Sequence, residues 1–233
     1  MKLSDRILLG FVGIAVAAAI GAVIALRVAT TTPAKKAIRT RTFTADSLMY
    51  RGEAFHAIEV SGGWKMKVAR GDSHSVTIKR DDGTDIKVKV SAENGTLSLA
   101  SSSMPLAAKN VSATVTSPHL SFLSTSGASE VALVGYEEDS LVVTSAGGSQ
   151  IIVRDCTLGY LKLNLGGMSD INAKESAVGE AELNTGGAFG VVLALDGGTL
   201  SGTAGGMGGI EVYGKVGENT LKTAGLVEVT YHE

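Results

Sequence analysis

From Leu120 to Glu233 the apolar positions recur with a fixed short period, and a glycine marks each unit. The marker glycines are Gly127, Gly147, Gly167, Gly187, Gly206 and Gly225, spaced by 20, 20, 20, 19 and 19 residues. Four residues beyond each stands a β-branched residue: Val131, Ile151, Ile171, Val191, Ile210 and Val229. Four residues before each stands Leu123, Val143, Leu163, Leu183, Gly202 or Leu221. Within a unit apolar and polar residues alternate. Leu161, Leu163 and Leu165 point one way, Lys162 and Asn164 the other, and the same parity resumes at Ile171 and Ala173. A period of two predicts strands with one buried face. A fixed period of about 20 residues predicts stacked repeats. Glycine suits the corner between strands because it takes positive φ without a steric cost. One unit cannot fold alone, since ordering each residue costs about 1–2 kcal/mol of backbone entropy and only about four or five apolar side chains per unit turn inward. Stacked neighbours must supply the rest. The expected class is an all-β β-solenoid.

Two residues before each glycine lies an aligned set: Thr125, Ser145, Leu165, Thr185, Ala204 and Thr223. Its hydroxyls are expected to bond one another or the backbone within the core. One residue after each glycine the solvent-facing positions read Ala128, Gly148, Met168, Ala188, Met207 and Leu226. Those just before it read Ser126, Ala146, Gly166, Gly186, Gly205 and Ala224. Together they predict a flat stripe almost free of charge, with Met168, Ala188, Met207 and Leu226 as candidate contact residues for an envelope protein partner or for self-association. After Val229 no cap is written in the pattern, so an open sheet edge is expected there.

Upstream the alternation continues in shorter runs. Ile58 and Val60 precede Gly62-Gly63, then Trp64, Met66 and Val68 alternate. Val76 and Ile78 follow the Arg70-Gly71-Asp72-Ser73 turn, and Val88 and Val90 lead into Glu93-Asn94-Gly95 before Leu97 and Leu99. These are strand and hairpin signals. The expected organisation is a polar tip over residues 1–6, a transmembrane anchor over 7–26, a linker over 27–50, irregular entry strands over 51–118 and a regular six-unit β-solenoid over 119–233. The anchor rests on Ile7 to Leu26, 20 residues without a charge, which as a helix would match the thickness of a bilayer. Arg27, Lys35, Lys36, Arg39 and Arg41 follow that stretch and only Lys2 and Arg6 precede it. This bias favours a cytoplasmic repeat domain.

The Phe55-x-x-Ile58-x-Val60-x-Gly62-Gly63 start, the Val68-x-x-Gly71 turn and the Val76-x-Ile78 strand carry a resemblance. With the repeated corner Thr125-Ser126-Gly127-Ala128-Ser129-Glu130-Val131 they resemble the auto-transporter adhesin family with a head GIN domain. The resemblance covers residues 43–233. It implies an all-β, single-stranded right-handed parallel β-helix, here with one N-terminal transmembrane helix, as in membrane-anchored members from Bacteroidetes. It also implies adhesion and export, hence a single-pass inner-membrane protein with its repeats in the periplasm, against the charge bias. No catalytic residue comes with it. Where members show Gly-Ser-Gly at the corner, this chain has Gly-Gly or Ala-Gly.

Composition narrows the chemistry. The net charge of −2 offers no electrostatic case for nucleic acid. Cys156 is the single cysteine, so no intrachain disulfide forms, and Arg154-Asp155-Cys156-Thr157 reads as a loop. Among solvent-facing carboxylates Glu130 and Asp170 stand two units apart with Gln150 between them. That places them about 10 Å apart, with no cation in the neighbouring outward positions, so no catalytic site is expected. His56, His74, His119 and His232 share no metal-ligand spacing. Gly205-Gly206-Met207-Gly208-Gly209 lacks the lysine and helix of a phosphate loop. No cofactor or metal is expected. The expected function is a membrane-anchored, non-catalytic module for adhesion or protein–protein interaction in the cell envelope. A carbohydrate-binding or carbohydrate-processing β-helix and a cytoplasm-facing membrane-tethered scaffold are the alternatives. Sugars would call for a row of rings, yet Tyr50, Tyr136, Tyr160, Tyr213 and Tyr231 recur irregularly.

Overall fold

The computed structural model describes residues 40–42, 47–50, 53–80, 87–101 and 111–232, all within one compact unit, Arg39–Glu233. Its strands are β1 (Thr40–Thr42), β2 (Ser47–Tyr50), β3 (Ala57–Ser61), β4 (Trp64–Arg70), β5 (Ser75–Arg80), β6 (Lys87–Glu93) and β7 (Thr96–Ser101). They continue as β8 (Val111–Ser117), β9 (Phe122–Val134), β10 (Glu137–Thr185), β11 (Ala188–Asp196), β12 (Thr199–Lys215), β13 (Glu218–Asn219) and β14 (Lys222–His232). All 14 join in one sheet.

The repeat is visible as register. Gly147 pairs with Gly127 and Ile151 with Val131 between β9 and β10. Met168 pairs with Ala188 between β10 and β11, Ile210 with Val191 between β11 and β12, and Gly225 with Gly206 between β12 and β14. All these pairings are parallel. The parity read from the alternation holds: Leu161, Leu163 and Leu165 are buried, and Lys162 and Asn164 are half-buried. One continuous core runs from Phe55 to Val212 and is built mostly from Val, Leu and Ile.

The corners explain the glycine column. A Cβ on Gly147 would lie 2.4 Å from Gly127 O, and one on Gly206 would lie 2.2 Å from Gly187 O. Successive corners approach closer than any side chain permits. The hydroxyl column is also buried in its upper part. Thr125 meets Ser149 at 3.0 Å, Ser169 donates to Ser145 at 2.8 Å, and Thr185 donates to Gly205 O at 3.0 Å. Two of these three partners, Ser149 and Ser169, come from a second column with Ser129, which the alignment of Thr125 with Ser145 does not reveal.

The fold class expected from the repeats is corrected. The chain is all-β, but it forms a mixed sheet, not a single-stranded parallel β-helix or β-solenoid. β6 pairs antiparallel with β7, β5 with β8, β1 with β6 and β2 with β5. The cause is local. Asn94 and Gly95 take φ of 52° and 76°, the geometry of a two-residue hairpin that sends the chain straight back. The transmembrane helix expected over Ile7–Leu26 lies outside the described residues. Among those residues no helix is long and apolar enough to cross a membrane.

Two local readings change as well. Gly62, with φ of 94°, is no hairpin turn. β3 and β4 both run parallel to β9, with Ile58 on Leu123 and Trp64 on Ser129. A Cβ on Gly127 would lie 2.6 Å from Gly62 O, so Gly62 heads the corner column. Cys156 is not in a loop. It is buried inside β10, beside Asp155 with φ of 54°. Tyr136 N donates to its Sγ at 3.4 Å, and its own N donates to Ser176 Oγ at 3.2 Å. Burial pushes its thiol pKa up.

Candidate functional site

The parallel register gathers the expected contact residues. Gly148 lies on Ala128, Ala188 on Met168, Met207 on Ala188 and Leu226 on Met207. Gly167 sits directly on Gly147 O, 2.7 Å from the position its Cβ would take, and so links the two halves into one row. The row exists because the residue after each corner glycine falls on the solvent face of every unit. Met168 is 70%, Met207 60% and Leu226 71% exposed. Among the described residues the only other large apolar side chain so exposed is Tyr231. Three of four therefore stand in a single row.

The flanks are polar. On one side run Ser124, Thr144, Asn164, Asn184, Thr203 and Lys222, and on the other Glu130, Gln150, Asp170, Gly190, Gly209 and Glu228. Beside the first flank Glu182 gathers three donors. Tyr160 Oη donates to it, Asn184 Nδ2 donates at 2.9 Å, and Lys162 Nζ lies 2.9 Å away. The Tyr160 hydrogen bond above all, then Asn184 and Lys162, holds the Glu182 pKa down to about 2. The same bond raises that of Tyr160 to about 12. These groups lock each other in place.

The other sequence candidates do not converge. Glu130 does have a cation beside it, contrary to expectation. Lys65, which pairs with it from β4, places Nζ 3.8 Å from its carboxylate. The sequence order hides this neighbour, because β5 to β8 all intervene between β4 and the strand that carries Glu130. Asp170 stands on a separate unit, under Gly190. The histidines are scattered. His74 bonds Phe55 O at 2.9 Å, His119 lies 3.4 Å from Glu138, and His232 stacks on Tyr213 with ring centroids 4.2 Å apart. Among the described residues no group of three or more His, Cys, Asp or Glu side chains is placed to hold a metal ion. Among the described residues the rings form no row of the kind that sugars stack on. Trp64 is buried and donates to Ser61 O at 3.0 Å, Tyr136 is buried against Ser117, and Lys174 Nζ covers the Tyr213 ring at 3.7 Å.

The model of the family described as "Putative auto-transporter adhesin, head GIN domain" matches residues 54–188. A crystal structure of a putative adhesin from Bacteroides fragilis is similar in fold, with a TM-score of 0.63 at 16% identity, over 79% of this chain and 95% of that one. Two others align less closely. A putative lipid binding protein from Parabacteroides distasonis gives a TM-score of 0.45 at 13% identity, over 78% of this chain and 95% of its own. A putative adhesin from Parabacteroides merdae gives 0.44 at 14% identity, over the same shares of 78% and 95%. No curated protein matches the chain.

Proposed function

This chain belongs to the family of putative auto-transporter adhesins with a head GIN domain, and from that premise we propose that it is a non-catalytic protein of the cell envelope. It adheres to the apolar surface of an envelope protein through Met168, Ala188, Met207 and Leu226. The observation that carries this reading is the confinement to one row of three of the four large apolar side chains exposed among the described residues. Water exclusion by an apolar patch with a polar rim is the usual physical basis of such contacts. The carboxylates of Glu130, Asp170 and Glu228 along one flank oppose a negatively charged lipid surface and favour a protein.

The test uses the full-length chain in detergent, immobilised and exposed to envelope extract. Met168→Arg combined with Met207→Arg is expected to keep the wild-type melting temperature, since both side chains stand in solvent. It is expected to lose bound envelope protein by about ten-fold or more, as when central contact residues are changed. Unchanged melting with unchanged retention sinks the proposal.

The location follows from the same reading. Membrane attachment through the uncharged stretch Ile7–Leu26, with the sheet on the outer side of the inner membrane, would present the row to other envelope proteins. A phosphatase fused after Glu233 is expected to be active and a fluorescent protein at the same position dark. The reverse pattern refutes this orientation.

A further inference from the structure

β14 is paired on one side only, by β12, and among the described residues no strand covers its other side. Its core-facing positions lose their cover accordingly. Tyr231 stands in the column of Val212 and Leu193, both fully buried, yet it is 47% exposed. Val229 and Leu221 are half-buried, whereas Ile210 and Val191 in the column of Val229 are 1% exposed. An unpaired edge backed by apolar side chains is a template for another strand.

We propose that this edge pairs with β14 of a second copy, antiparallel, about a two-fold axis through Gly225. The backbone suits that arrangement. At the corners both the oxygen and the nitrogen of a glycine face the following unit, since a Cβ on Gly147 would lie 2.4 Å from Gly127 O and 2.7 Å from Gly127 N. The same groups of Gly225 face the open edge. In an antiparallel ladder every second opposed pair exchanges both N–H···O=C bonds, and with both groups facing the edge Gly225 and Gly225 of the partner subunit form such a pair.

The side chains agree with the same axis. It sets Lys222 opposite Glu228 of the partner subunit, and Glu228 opposite Lys222 of the partner subunit. Both side chains are exposed and on the solvent face, where opposite charges across strands attract. On the core face it sets Leu221 opposite Val229 of the partner subunit, so two half-buried side chains cover each other. Leu226 comes opposite Ala224 of the partner subunit, which brings the apolar rows of the two copies together at the axis. Such an interface uses the same surface on both copies and closes at two. It requires no envelope partner and so stands apart from the docking proposed above.

Sedimentation velocity of the full-length chain in density-matched detergent tests it, with thermal melting to show that each variant is folded. A dimer is expected for the wild type. Lys222→Glu and Glu228→Lys each place like charges together twice, and each is expected to weaken the dimer by about ten-fold or more. The two changes combined restore opposite charges and are expected to bring it back to within about three-fold of wild type. Met168→Arg is expected to leave it unchanged. Association through residues 7–26 would ignore the charge at Lys222. A wild-type monomer at about 100 μM, a dimer indifferent to every charge change, or a double variant as weak as the single ones overturns the proposal.

Discussion

Leu163→Asp abolishes cooperative folding, whereas Leu163→Ala leaves a folded sheet that is weaker by about 2–5 kcal/mol. Leu163 is 0% exposed in the middle of β10, and the equivalent side chains Val143 and Leu183 are buried as completely. The nearby hydroxyls of Thr125, Ser145 and Ser169 already bond their neighbours. Burying an unpaired charge costs more than the whole margin of about 5–15 kcal/mol by which a domain is stable. Circular dichroism melting of the two variants measures the difference. The adjacent position behaves otherwise. Lys162 is half-buried on the solvent face and lies 2.9 Å from Glu182. From parity alone Lys162→Asp is neutral; with that ion pair replaced by two facing carboxylates, it costs about 1 kcal/mol. Equal losses at Leu163→Asp and Lys162→Asp would mean that the strand faces are assigned the wrong way round.

Gly206→Ala costs about 3 kcal/mol or more, and Gly209→Ala, three residues along, costs nothing measurable. Two separate penalties act at Gly206. Its φ of 102° is one that alanine rarely adopts, and its new Cβ would stand 2.2 Å from Gly187 O. That oxygen belongs to the backbone of the preceding corner, so it cannot swing aside. At Gly209 the added methyl meets nothing within 4 Å, and restricting the unfolded chain offsets what little is lost. Denaturant titration of the two proteins resolves the contrast. Similar midpoints would show that the corner relaxes and that the glycine column is no steric requirement.

Parallel register and strand faces were legible in the sequence because both are written as arithmetic. A glycine recurring at a nearly constant interval sets Gly206 on Gly187, and alternation sets Leu163 inward and Lys162 outward. What escaped depends on contacts between segments with no common period. Gly62 reads as a turn because Gly62-Gly63 looks like hairpin chemistry, yet β4 continues beyond it along β9. Asn94-Gly95 is hairpin chemistry in fact, and following it strictly excludes an all-parallel sheet. Lys65 reaches Glu130 from a strand that precedes β5 to β8 in the chain, and no spacing rule connects them. The apolar row was legible as a pattern, since it repeats with the glycines. Its exposure was not, because only the assembled sheet shows that, among the described residues, so few large apolar side chains remain outside the core.

The interval between marker glycines shortens by one on the way from Gly187 to Gly206, and the place of that loss shows where this chain can change length. From Ala173 to Ala181 one unit spends eight residues, and from Leu193 to Leu200 the next spends seven between the same register partners. The omitted residue falls between Leu193 and Leu200, opposite the stretch from Ala173 to Val178 where pairing between β10 and β11 slips. Through the glycine corner the count never varies: Thr185 to Ala188 and Ala204 to Met207 are the same length and pair in step. The change of length is therefore absorbed on the far side of the unit. The glycine side keeps its frame, and with it the spacing of the exposed row.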